Sequence, residues 1–129
     1  MEKLKVYLAT PYGFGKNKGL IARLMHWWRY KQVTKVASNW METGYNVFSP
    51  ITHTHPMSKY VDLTHAEWLE VDFQWIDACD ELWVLCQPGW QSSDGVGKET
   101  KYAKSKGIPV KFLKRGGQSF YDYSVNEWF

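Results

Sequence analysis

The chain has 129 residues, of which 44% are hydrophobic and 22% charged, with a formal net charge of +3. This composition fits one folded domain over residues 1–129 and excludes a disordered or fibrous chain, and so small a positive charge gives no ground for a nucleic-acid polymer as partner. No apolar run approaches the roughly 18–20 residues of a membrane span, the start does not read as a signal peptide, and Cys79 and Cys86 alone make neither a disulfide framework nor a metal site, so a cytoplasmic protein with no membrane partner is expected.

Residues 4–9, Leu-Lys-Val-Tyr-Leu-Ala, read as a buried strand closed by a Gly/Pro loop over 10–15. A helix is expected over 18–43, with Gly44 as its C′ residue. Within it, Trp27-Trp28-Arg29-Tyr30-Lys31 mixes basic and aromatic side chains, as platforms for single-stranded nucleic acid do. Helical spacing points them in different directions, which favours core plus surface. Residues 45–49 form a second short strand stopped by Pro50, and 51–63 read as a loop without a clear period. Thr64-His65-Ala66-Glu67 has the form of a capping box and starts a helix over 64–78. Residues 81–85 are a third strand, apolar enough to be buried on both faces. A loop over 87–94, a third helix over 95–106 and a fourth strand over 108–113 follow, and the aromatic tail 119–129 is left unassigned. The alternation of strands and helices predicts an α/β fold: a small doubly wound, flavodoxin- or Rossmann-like sheet, mostly parallel, in three α-β-α layers. Such sheets bind ligands beyond the carboxyl ends of their strands, which selects the loops after Ala9, Phe48, Leu85 and Leu113.

Four constellations could carry chemistry there. Ser92-Ser93-Asp94-Gly95-Val96-Gly97-Lys98-Glu99 joins the third strand to the third helix. Its hydroxyls and backbone N–H groups suit an anion, yet the same residues also make an ordinary helix cap followed by a dipole-complementing glutamate. On the preceding helix, Asp72 falls on a stripe with Trp68, Trp75, Ile76 and Cys79, where a carboxylate is costly unless paired or functional. His53-Thr54-His55 places two imidazoles on one side if extended, as loop or substrate contacts; two ligands do not make a zinc site. The eight tryptophans are expected mostly in the core, although aromatic walls also suit flat ligands.

With these residues placed, the chain resembles the nucleoside 2-deoxyribosyltransferase superfamily, both the transferases and the deoxynucleoside 5′-monophosphate N-glycosidases, over residues 5–113. Val6-Tyr7-Leu8 matches the opening strand, whose tyrosine hydrogen-bonds the catalytic glutamate. Asp72, ahead of the Cys79-Asp80 junction, matches the base-side aspartate, and Ser93-x-Gly95-Val96-Gly97-x-Glu99 matches the signature carrying the nucleophile. Short phage and bacterial members share the texture of residues 9–12 (Ala-Thr-Pro-Tyr), 49–53 (Ser-Pro-Ile-Thr-His) and 80–85 (Asp-Glu-Leu-Trp-Val-Leu). One departure is Thr10-Pro11, where the monophosphate hydrolases have a Gly-Ser phosphate loop; Pro11 supplies no backbone donor.

The resemblance implies that Glu99 attacks the anomeric carbon, Asp72 protonates or hydrogen-bonds the departing base, and Tyr7 orients Glu99. Ser93, with the Gly95 and Gly97 amides, would hold the sugar 5′ group or a phosphate, and Thr10, His53 and Trp90 would complete the substrate contacts. Lys16 and Lys18 are the cations nearest in sequence for a phosphate. No metal or organic cofactor is implied, and a homo-oligomer is. The expected activity is cleavage of a (deoxy)nucleoside 5′-monophosphate. The alternatives are base exchange between nucleosides, a glycohydrolase of NAD-like dinucleotides, and a nucleotide-sequestering protein without turnover.

Overall fold

The computed structural model of the chain describes residues 3–12 and 19–122. Strands β1 (Lys5–Ala9), β2 (Asn46–Phe48), β3 (Glu81–Leu85) and β4 (Val110–Leu113) form one all-parallel sheet in the order β2-β1-β3-β4. Parallel neighbours need crossovers, and the helices α1 (Leu20–Glu42), α3 (His65–Asp77) and α4 (Asp94–Ser105) supply them, giving the doubly wound sheet expected, with the flavodoxin-like rather than the Rossmann-like order. Both central strands are buried on both faces, as their unbroken apolar runs require.

The alternation along β1 decides what faces the site. Val6 and Leu8 pack with Val33, Val36 and Ala37 of α1. Tyr7 and Ala9 turn to the opposite face, against Ile76 of α3 and Val96 and Ala103 of α4. The tyrosine of the first strand therefore points toward the two helices that carry Asp72 and Glu99.

Local chemistry sets most element boundaries. Gly44, with φ of 109°, ends α1 in a conformation that side chains rarely adopt. Thr64 and Glu67 form both halves of the capping box at the start of α3. In α4, Ser93 rather than a later residue is the N-cap, accepting the Val96 N–H at 3.3 Å. The basic-aromatic run in α1 divides as its spacing predicts, with Arg29 buried and donating to the Pro88 carbonyl at 3.0 Å, and Trp27 exposed.

Two segments differ from the sequence reading. Residues 51–63 are not a plain loop: they contain α2 (Pro50–Thr54) and a 3₁₀ turn (Pro56–Lys59). Ser49 caps α2 by accepting the Thr52 N–H, and Pro50 occupies the first turn, where a missing N–H costs nothing. A helix this short has no apolar period to reveal it. At the other end, Phe120 bridges back to Leu113 and packs on Trp40 and Trp83; residues 123–129 lie outside the described residues. Both cysteines are free, and no described helix is long and apolar enough to cross a membrane.

Candidate active site

A cavity of about 560 Å³ opens beyond the carboxyl ends of the strands. Its two walls come from different parts of the chain. Ser93, Gly95 and Glu99 of the α4 region, with Asp72 of α3, make one wall; Thr10 and Tyr12 after β1 and Ile51 and His55 around α2 make the other.

Glu99 lies on the buried stripe of α4 with Val96, Thr100 and Ala103. It is a turn further in than a dipole-complementing residue, a place taken here by Asp94. Only 5% of Glu99 is exposed, and its carboxylate accepts a hydrogen bond from the Tyr7 hydroxyl. Among the described residues no lysine or arginine pairs with it. Burial, and then the charge of Asp72, push the Glu99 carboxyl up to about 8, while the Tyr7 bond works the other way. Burial likewise raises Asp72 to about 6, against the lowering effects of a Tyr7 hydrogen bond and of His65. Tyr7, fully buried beside both carboxyls, is held firmly as the neutral phenol.

The entrance to α4 is arranged differently from a bare anion site. The Ser93 hydroxyl is used as the cap. Asp94, exposed in the first turn, binds Lys98 Nζ at 3.0 Å and His65 Nε2 at 3.0 Å. Gly95 lies between His65, Glu99 and Ser93, close enough that a Cβ there would come within 4.0 Å of all three. No lysine or arginine lines the cavity among the described residues; Lys16 and Lys18 lie outside them.

The structure thus brings Asp72, Ser93, Gly95, Glu99 and Thr10 to one cavity and seats Tyr7 beneath it. It does not bring Gly97, Trp90 or His53 there. Gly97 follows Gly95 by two positions on a helix and so faces away, and Trp90 is buried against Phe112. His53 and His55 are two apart on a helical turn rather than on an extended segment, so they diverge. His53 lies beside Phe48 and Trp75, and His55 lines the cavity.

Sequence reasoning missed Tyr12 and His65 as cavity residues; of the two imidazoles it offered as contacts, His55 rather than His53 lines the cavity. The Tyr12 hydroxyl lies 2.6 Å from His55 Nδ1, and Tyr12 stacks on His26 at 4.5 Å. The available signal was position alone, since both Tyr12 and His55 follow strand ends. Among the described residues no three His, Cys, Asp or Glu side chains come together as a metal site.

The sequence profile of a family described as "Domain of unknown function (DUF1937)" matches residues 4–115. A 2-deoxyribosyltransferase from the psychrotolerant bacterium Bacillus psychrosaccharolyticus has the same fold, with a TM-score of 0.57 and 17% identity over 96% of this chain and 95% of that one. No curated protein sequence matches the chain.

Proposed function

The chain belongs to the DUF1937 family, and we propose that it cleaves the N-glycosidic bond of a nucleoside through a glycosyl ester on Glu99. The observation carrying this reading is the buried Glu99 carboxyl, hydrogen-bonded by Tyr7 and electrostatically coupled to Asp72 in a shared cavity. A carboxyl left so deep in an apolar stripe without a cation is costly to the fold, and reactive groups are where such cost is found.

The chemistry follows from one proton shared between two acids. Glu99 is raised further than Asp72, so the shared proton rests mainly on Glu99. The reactive form is the minor one with the proton on Asp72 and the charge on Glu99, which the Tyr7 O–H stabilises by donating to Glu99. A Glu99 oxygen attacks the anomeric carbon, the C–N bond breaks, and its electron pair takes the Asp72 proton as the base departs. Water then attacks the glycosyl ester, Asp72 accepts its proton, and Glu99 leaves as the carboxylate. A second base in place of water gives exchange by the same steps, the activity named for the Bacillus enzyme of like fold.

The α4 entrance supports an unphosphorylated sugar over the monophosphate. A phosphate there would meet the Asp94 carboxylate, with Lys98 and His65 already engaged, whereas a 5′-hydroxyl needs only the Ser93 O–H and the free backbone donors. The test is incubation with deoxynucleosides and their monophosphates, with and without a second free base. Free base released from a nucleoside, and its loss in Glu99→Gln, is the expected result. Binding without release or exchange of any base would sink the proposal and leave a sequestering protein.

A further inference from the structure

We propose that Tyr12 and His55 read the departing base: Tyr12 fixes the His55 imidazole as the Nε2–H tautomer, and that N–H is offered to an acceptor on the base's edge. The proposal rests on the N-glycosidic reading above and assigns the specificity of that same cavity.

The tautomer follows from the contact between the two residues. At 2.6 Å, Tyr12 Oη to His55 Nδ1 has the short separation of an O–H donor rather than the longer one of a ring N–H donor. Burial keeps the Tyr12 phenol protonated, and burial together with Lys59 keeps His55 neutral. With Nδ1 accepting, the ring proton is on Nε2, a nitrogen with no hydrogen-bond partner among the described residues.

The pair is also held rigidly. His55 stacks on Tyr30 at 4.3 Å with 19° between planes and meets the edge of Tyr12 at 5.8 Å. Tyr12 is braced in turn by its stack on His26. Such bracing fixes a donor at little further entropic cost on binding, as specificity requires.

Location assigns the donor to the base. Ser93, Gly95 and Glu99 belong to the α4 side of the cavity, to which the reading above gives the sugar, and Tyr12 and His55 to the wall built after β1 and around α2. On that wall Thr10 is 5% exposed, and its hydroxyl has no partner among the described residues. One ring N–H and one spare hydroxyl suit a heterocycle presenting a ring nitrogen or carbonyl oxygen, groups that a sugar lacks.

The experiment is a panel of deoxynucleosides differing by single acceptors: a purine with its 3-deaza, 7-deaza and 6-unsubstituted analogues. Each is measured as kcat/KM on wild type, His55→Phe, His55→Gln and Tyr12→Phe. Calorimetric affinities are taken in parallel on the same variants carrying Glu99→Gln. One analogue should fall about 10–100-fold on wild type, the range for losing a buried hydrogen bond. His55→Phe, which retains the stack, should bring the parent base down to that analogue's level, mainly through KM, and change the analogue little. His55→Gln, with an amide N–H near the same place, should recover part of the loss, and Tyr12→Phe should fall between. Equal losses across the panel would overturn the proposal and leave the glycosidic reading standing. The selective pattern in affinity without turnover would overturn the glycosidic reading alone, and no binding by any panel member would overturn both.

Discussion

Tyr7, in the middle of β1, donates its hydroxyl hydrogen to Glu99, 92 positions further along the chain. The bond joins the first strand to the last helix and counters the burial that would otherwise keep Glu99 protonated. Removing it separates the hydroxyl's electrostatic work from the ring's packing beside Phe48. We expect Tyr7→Phe to keep KM nearly constant and lower kcat by about 10–100-fold, the worth of a hydrogen bond of ~1.5–3 kcal/mol to a charged group. Because the bond lowers the Glu99 pKa, the acid limb of the pH–rate profile should move to higher pH. A profile that falls in height but stays in place would refute the orienting role.

The same burial makes the site a source of instability. Both carboxyls are raised, Glu99 to about 8 and Asp72 to about 6, so the folded state holds protons that the unfolded chain has already lost. Stability contributed by these groups is full below the ordinary carboxyl range and is lost as pH rises through 6 and 8. Glu99→Gln should therefore abolish turnover while raising the melting temperature at pH 8.5. A gain of about 1 kcal/mol corresponds to roughly 3–6 °C for a chain of this size. An equal or lower melting temperature at that pH would contradict the burial argument.

Asp72→Asn tests the division of labour between the acids. With one proton shared, activity should be bell-shaped and fall where the pair holds two protons or none, with limbs near 6 and 8 that belong to the pair. Asparagine cannot lose a proton, so the alkaline limb should disappear. The acid limb should move to higher pH, because what titrates there in the variant is the buried Glu99 alone, the more strongly raised carboxyl of the two. Nucleosides with good leaving groups should suffer least. Retention of both limbs in the variant would exclude Asp72 as the acid.

How much of this was legible in the chain differs by scale. The strands and several helix boundaries followed from unbroken apolar runs and from Thr64, Glu67 and Gly44, because those signals act over a few neighbouring residues. Asp72 stood out as a carboxyl on an otherwise apolar stripe, whereas Glu99 was singled out by its place in the Ser-Gly run at the start of a helix, and its buried stripe is a finding of the structure. What was not legible depended on contacts between distant segments. Tyr12 and His55, 43 positions apart, meet only once α2 exists, and α2 rests on a cap and a proline rather than on periodicity. For the same reason His53, plausible on an extended segment, turns away on a helical one.

Gly117 offers a check on the opposite layer. It has φ of 74°, and a Cβ there would come within 2.5 Å of a Val36 methyl on α1. Its carbonyl also accepts the Trp40 indole N–H at 2.7 Å. Gly117→Ala should therefore loosen the packing of the sequence after β4 on α1, costing about 1–3 kcal/mol in denaturant unfolding. Turnover at low temperature should be spared, since the site lies on the other face. A neutral substitution would mean that this close approach does not anchor the helix.

Asp94 should set the choice between nucleoside and nucleotide. Helix N-termini attract anions, yet here the first turn carries its own carboxylate, which engages Lys98 and His65. A 5′-phosphate would have to displace that arrangement or sit beside a like charge, while a 5′-hydroxyl meets neither difficulty. Asp94→Asn removes the charge, nearly conserves shape and releases Lys98 and the His65 ring toward the ligand. The ratio of kcat/KM for monophosphate over nucleoside should rise several-fold, and more at low ionic strength than at high, because the groups are exposed and screened by salt. The nucleoside rate itself should change little. If wild type already prefers the monophosphate and Asp94→Asn leaves the ratio and its salt dependence untouched, the phosphate is held elsewhere, and the argument for an unphosphorylated substrate fails.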